Sequence, residues 1–160
     1  MKSVVIYYSY SGNTRKVARV LADGLRQDSE CAEIELKPAD ESRSFLAQCR
    51  RAFKHIRAKL EPVNYDLSGY DIICLGSPVW AFGPAPALNT YLDNCSGISG
   101  KNIILFTTYG SGTGNQRCLN YMQDLLLRRG AVSFKRFSIQ QNKVKNREFI
   151  QAAIDKIMRL

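Results

Sequence analysis

The stretch Val4-Val5-Ile6-Tyr7-Tyr8-Ser9-Tyr10-Ser11-Gly12-Asn13-Thr14 decides the fold class, because an apolar run passes directly into a hydroxyl-rich turn. A near-continuous apolar run of this kind is what a strand covered on both faces looks like. Val17, Leu21 and Leu25 then recur at helical spacing, so the segment reads strand, loop, helix. The loop sets Ser9, Ser11, Gly12, Asn13 and Thr14 where the amides of a helix N-terminus are unpaired, an arrangement that cradles a phosphate-type anion. Gly12 lets the backbone approach closely, and the hydroxyls of Ser9, Ser11 and Thr14 supply further hydrogen bonds. The same residue types are ordinary helix caps, so the loop alone is equally compatible with a plain capped start. No lysine completes a G-x-x-x-x-G-K-[ST] pattern, which argues against a nucleoside triphosphatase.

Working outward, Ile72 to Leu75, Ile103 to Thr107 and the more polar Val132 to Ile139 read as further strands. The alternating Ala32-Glu33-Ile34-Glu35-Leu36 reads as a fifth, with one wetter face, as at a sheet edge. Between them lie helical stripes: Phe45, Cys49, Phe53, Ile56 and Leu60; Leu119, Met122 and Leu126; and Phe149, Ala153 and Ile157 with Ile150, Ile154 and Met158 beside them. Each stripe predicts burial against the sheet. Such alternation without a break in composition predicts an α/β fold, a five-stranded parallel sheet with helices on both faces, in a single domain over residues 1–160. A ligand of such a sheet binds beyond the carboxyl ends of the strands, at the switch in strand order.

Two more loops fall at those ends. Gly76-Ser77-Pro78-Val79-Trp80-Ala81-Phe82-Gly83-Pro84-Ala85-Pro86 carries the only tryptophan on a segment whose prolines and glycines predict irregular structure. Trp80 there suits stacking on a flat ligand, or else covers the rim of the core. Thr107-Thr108-Tyr109-Gly110-Ser111-Gly112-Thr113-Gly114-Asn115 is a poor match to the dinucleotide pattern G-x-G-x-x-G. It reads better as a loop whose amides and hydroxyls edge a planar ligand, or as a simple turn.

The 160 residues, 45% of them hydrophobic, suit one buried core. Five scattered cysteines, Cys31, Cys49, Cys74, Cys95 and Cys118, suggest neither a disulfide framework nor a metal site, and reduced thiols in a cytoplasmic, soluble protein are expected. No run reaches the roughly 20 apolar residues of a membrane span. The net charge of +9 favours polyanions, acidic proteins or anionic membrane surfaces as partners.

With these loops in view, the chain resembles the flavodoxin family and its relatives among the flavodoxin-like NAD(P)H oxidoreductases. Tyr8 to Thr14 and Tyr70 to Trp80 carry the resemblance, which extends over essentially the whole length. It implies a sheet order of 2-1-3-4-5 and FMN as cofactor, its phosphate held by Ser9, Tyr10, Ser11, Gly12, Asn13 and Thr14. Ser77, Pro78, Val79, Trp80, Phe82 and Gly83 would line the isoalloxazine, with Trp80 stacking. Thr108, Tyr109, Gly110, Ser111 and Gly112 would edge the pyrimidine side, with Tyr109 as a second aromatic wall. The implied role is an electron carrier whose FMN cycles between oxidised, semiquinone and hydroquinone forms with a redox protein as donor or acceptor. The alternative is an enzyme that takes hydride from NADH or NADPH and reduces a quinone. No acid, base or nucleophile is assigned, because the cofactor carries the chemistry. One departure concerns charge: a basic helix from Arg43 to Lys59 includes Arg50, Arg51, Lys54, His55, Arg57 and Lys59, where the family's carriers are usually acidic near the flavin. This run is either a solvated face or a surface for an acidic partner. No nucleic-acid motif accompanies it.

Overall fold

The computed structural model describes residues 1–41, 44–54, 56–110 and 112–159. Strand β1 (Lys2–Tyr7) pairs in parallel with β2 (Glu30–Glu35) on one side and with β3 (Ile72–Trp80) on the other. Beyond β3 lie β5 (Asn102–Tyr109) and then β6 (Ser133–Gln140), also parallel. A two-residue strand, β4 (Gly83–Pro84), folds back antiparallel onto the end of β3. Counting only the five long strands, the order is 2-1-3-4-5, as the resemblance implied.

Alternation along the strands builds two apolar layers. Val4, Ile6, Ile73, Leu75, Ile103 and Leu105 point to one, which is closed by α3 (Pro86–Asn94) and α4 (Asn115–Leu127). Val5, Tyr7, Cys74, Ile104 and Phe106 point to the other, closed by α1 (Asn13–Leu25) and α5 (Arg147–Met158). Among the described residues, no helix is long and apolar enough to cross a membrane. Helix α3 lies outside the stripes read above; Pro86 in its first turn, with Leu88, Tyr91 and Leu92 at helical spacing and fully buried, is its sequence signal.

Three expectations need correction. β3 does not stop at Leu75. Gly76, Ser77 and Pro78 continue it, paired with Phe106, Thr107 and Thr108 of β5. The ladder between β1 and β3 ends at Gly76, so Pro78 sits where only one side of the strand has a partner and its missing N–H costs no bond.

The basic helix is also shorter than Arg43 to Lys59. α2 spans Phe45–Phe53, started by Ser44, whose hydroxyl accepts from the Ala47 amide at 3.4 Å. Past it the chain is drawn out against residues 37–39: Ala39 N–H donates to the Lys59 carbonyl, and Glu61 N–H to that of Lys37. Arg57 meanwhile pairs with Asp93. Arg43 and His55 lie outside the described residues.

Of the stripe Phe45, Cys49, Phe53, Ile56 and Leu60, only Leu60, which lies beyond the helix, packs partly buried against the core; the face that carries Phe45 and Phe53 does not meet the sheet. Gln48 and Ala52 are the buried positions of α2, while Phe45, Phe53 and Ile56 are 50%, 71% and 43% exposed. Periodicity marks an apolar face but not the direction in which it points.

Candidate functional site

Three loops converge beyond the carboxyl ends of β1, β3 and β5, around a hollow of about 670 Å³. It lies where the chain reverses its order across the sheet, from β1 outward to β2 and then back to β3. That volume falls within the range of ordinary small-ligand sites.

The first loop supplies Tyr10, Ser11, Asn13 and Thr14 to the wall. Its turn into α1 is made by Gly12 in the left-handed region, φ 85°, a conformation that disfavours a side chain. Gly12 is the N-cap and has no side chain to cap with, so the opening amides of α1 face the loop. Ser9 instead accepts from the Arg15 amide at 3.2 Å, bracing the turn from behind. Thr14 is buried, and its hydroxyl meets that of Thr108 at 2.8 Å, which ties the first loop to the third. Arg15 turns to the side and forms an ion pair with Glu35 at 2.6 Å.

The second segment supplies Pro78, Val79 and Trp80. Trp80 is only 5% exposed, set edge-on to Tyr8, Tyr10 and Phe45 at centroid distances of 5.6, 5.6 and 5.8 Å. Ser77 is wholly buried and serves the hairpin: its hydroxyl donates to the Pro78 carbonyl and accepts from the Ala85 amide, both at 2.9 Å. Ala81 and Phe82 form the two-residue turn between β3 and β4, both with positive φ, 47° and 68°. Gly83 pairs with Trp80, so the turn falls on two residues that carry side chains. Phe82 is half exposed, away from the wall, with the Arg117 guanidinium 5.7 Å from its ring centroid.

The third loop supplies Thr108, Tyr109 and Gly110. Gly112 lies beyond the wall, and Ser111 is outside the described residues. Two wall residues were missed in the sequence. Phe45 enters from the first turn of α2, and Gln141 from the short turn after β6, next to Gln140, whose amide donates to the Gly110 carbonyl at 3.2 Å. The signal for Gln141 was its place at a strand's carboxyl end. For Phe45 it was the adjacent Leu46, since a helix face carrying both is too broad to be buried on one side.

Electrically the wall is neutral. None of the described lining residues is acidic, basic or a thiol. Just behind it, burial and a hydrogen bond to Glu41 push the Tyr8 phenol well above its usual range. The slot offers aromatic faces along its length and amides with hydroxyls at one end. These features suit a flat heteroaromatic ring with an anionic tail.

Comparison with known proteins gives the same outline. The family model described as Flavodoxin matches residues 2–148. A flavoprotein from Bacteroides uniformis superposes with a TM-score of 0.73 at 22% identity, covering 96% of this chain and 97% of its own. A Lactobacillus acidophilus flavoprotein crystallised in complex with FMN gives 0.64 at 22% identity, over 92% and 98% of the two chains. The apo form of an NADH:FMN oxidoreductase gives 0.66 at 18% identity, over 98% and 88%. At these identities the superpositions speak for the fold.

Proposed function

This chain belongs to the flavodoxin family, and from that premise we propose that it binds FMN non-covalently in the hollow and works as an electron carrier between proteins. The observation that carries the reading is a pairing at the switch point. The N-cap of α1, Gly12, supplies no side-chain bond and Ser9 engages only the Arg15 amide, while the slot beside them is aromatic-walled and uncharged among its described lining residues. FMN, when bound, supplies the electron storage. The amides at the start of α1, with Ser11, Asn13 and Thr14, would hold its phosphate. Tyr10, Trp80 and Tyr109 would bound the ring system, and the amides of the third loop would meet its polar edge. The rings of Tyr8, Tyr10, Phe45 and Trp80 brace one another, which favours a fixed wall over a pocket that admits a second flat reactant.

The test is the anaerobic absorption spectrum of the FMN-loaded protein before and after NADH and NADPH are added separately. A carrier keeps its flavin oxidised with both and is reduced by dithionite. Rapid bleaching by either nucleotide would instead support an NAD(P)H:acceptor oxidoreductase. The exposed Arg50 and Lys54 beside the site favour that second reading, because cations of this kind suit a pyrophosphate.

A further inference from the structure

Helix α2 presents an apolar face to solvent right beside the hollow. Leu46 is 81% exposed and Phe53 71%, and they share the outer side of the helix with Cys49 and the half-exposed Phe45. Phe45 belongs both to this face and to the wall of the hollow, its ring 5.8 Å from that of Trp80. Exposed clusters of large apolar side chains with a polar rim mark interaction sites.

The rim is basic. Arg50 and Lys54 are exposed, make no ion pair with a described residue, and line a groove of about 560 Å³ with Leu46 and Ile56. α2 itself, Phe-Leu-Ala-Gln-Cys-Arg-Arg-Ala-Phe, has no acidic residue. The nearby acids are already engaged: Asp40 with Arg51 at 2.6 Å, Asp93 with Arg57, and Glu41 with the Tyr8 hydroxyl. A second copy docked face to face would therefore set Arg50 and Lys54 against their own counterparts.

We infer that the outer face of α2 is the docking surface for an acidic redox protein, one that presents carboxylates around an apolar centre and delivers or collects electrons at the Phe45 end of the hollow. This inference rests on the FMN-carrier reading. The apolar residues supply the contact that holds the complex, while Arg50 and Lys54, within a net charge of +9, steer the encounter.

The experiment uses the FMN-loaded protein and a pre-reduced acidic [2Fe–2S] ferredoxin as the probe. One electron passes from the iron–sulfur cluster, which is oxidised, to the flavin, which is reduced. Stopped-flow rates should fall as salt rises. The double variant Arg50→Glu/Lys54→Glu should slow the low-salt rate by about tenfold and flatten its salt dependence. Leu46→Ser/Phe53→Ser should slow transfer at every salt concentration. Both variants should titrate with FMN as the parent does, which also shows that they fold. FMN bound normally with rates that neither variant changes overturns the docking surface alone. Parent protein that takes up no FMN overturns the carrier reading, and the docking inference with it. A dimer dissolved by Leu46→Ser/Phe53→Ser, or flotation with phosphatidylserine vesicles abolished by it, would assign the face to a second copy or to lipid and overturn the proposal.

Discussion

The hydroxyls of Thr14 and Thr108 meet at 2.8 Å, joining the start of α1 to the carboxyl end of β5 across 94 residues of chain. Both side chains are buried, at 1% and 3% exposure. Each hydroxyl is the other's hydrogen-bond partner inside the fold, and together they fix the spacing between two loops of the hollow.

A mutant cycle at this pair should be strongly non-additive. Thr108→Val leaves the Thr14 hydroxyl buried without a partner, an expected cost of about 1–3 kcal/mol. Removing both hydroxyls in Thr14→Val/Thr108→Val should restore much of that stability, because neither group is then left unsatisfied. FMN affinity should fall by about tenfold, or roughly 1.4 kcal/mol, in the single variant, since the loops lose their fixed separation. Urea denaturation and flavin-fluorescence titration read the two quantities.

The turn at Ala81 and Phe82 should gain from a glycine. A two-residue hairpin with positive φ at both central positions is a turn that favours Asn-Gly, not Ala-Phe. Ala81→Gly should therefore raise stability by about 1 kcal/mol, as a denaturation midpoint shift with an unchanged slope. A loss of stability would mean that the strain is absent.

Because none of the described residues lining the hollow is a carboxylate, adding an electron to bound FMN should meet little repulsion from the wall. The expected reduction potential of the FMN-loaded protein is less negative than that of an acidic flavodoxin measured beside it. Equal potentials in an anaerobic dye-coupled titration would refute this.

Alkali should unfold the protein cooperatively. Tyr7, Tyr8 and Tyr91 are all raised above the usual 10.0, chiefly by burial, with hydrogen bonds to Glu33 and Glu41 adding to the shift for the first two. The Cys118 thiol is pushed up from 9.0 to about 12 by burial as well. In each case the unfolded chain loses its proton first, so stability is intact below the unfolded pKa and declines as pH rises towards the folded one. The decline should begin near pH 9 with the thiol and steepen above pH 10. The three phenols together should contribute roughly 4 kcal/mol per pH unit there, and Tyr91→Phe should remove about a third of that slope.

The sheet was legible in the sequence because strands buried on both faces must be apolar almost throughout, as in Val4 to Tyr8 and Ile103 to Thr107. The extent of β3 was not, since Pro78 reads as a breaker until the end of the β1 ladder shows that no bond is lost there. The orientation of α2 was hidden for a related reason. Phe45 and Phe53 fall on one helical face whether that face meets a core or the solvent, and only the position of Gln48 and Ala52 against the fold decides between them. Of the anticipated site residues, Tyr10, Ser11, Asn13 and Thr14 of the first loop, Pro78 to Trp80 and Thr108 to Gly110 gather around one hollow. Ser77 was indistinguishable from them in sequence, because a serine that closes a hairpin and one that meets a ligand look alike until the Ala85 amide is in place.

The chain has a single tryptophan, and the fold has put it in the wall of the hollow, held edge-on by three other rings. Excited at the red edge of the indole absorption, where the chain's tyrosines absorb little, tryptophan emission therefore reports from one place only. A flavin entering the hollow would take up that excitation by energy transfer, so the unlabelled protein carries its own optical gauge of occupancy at the site.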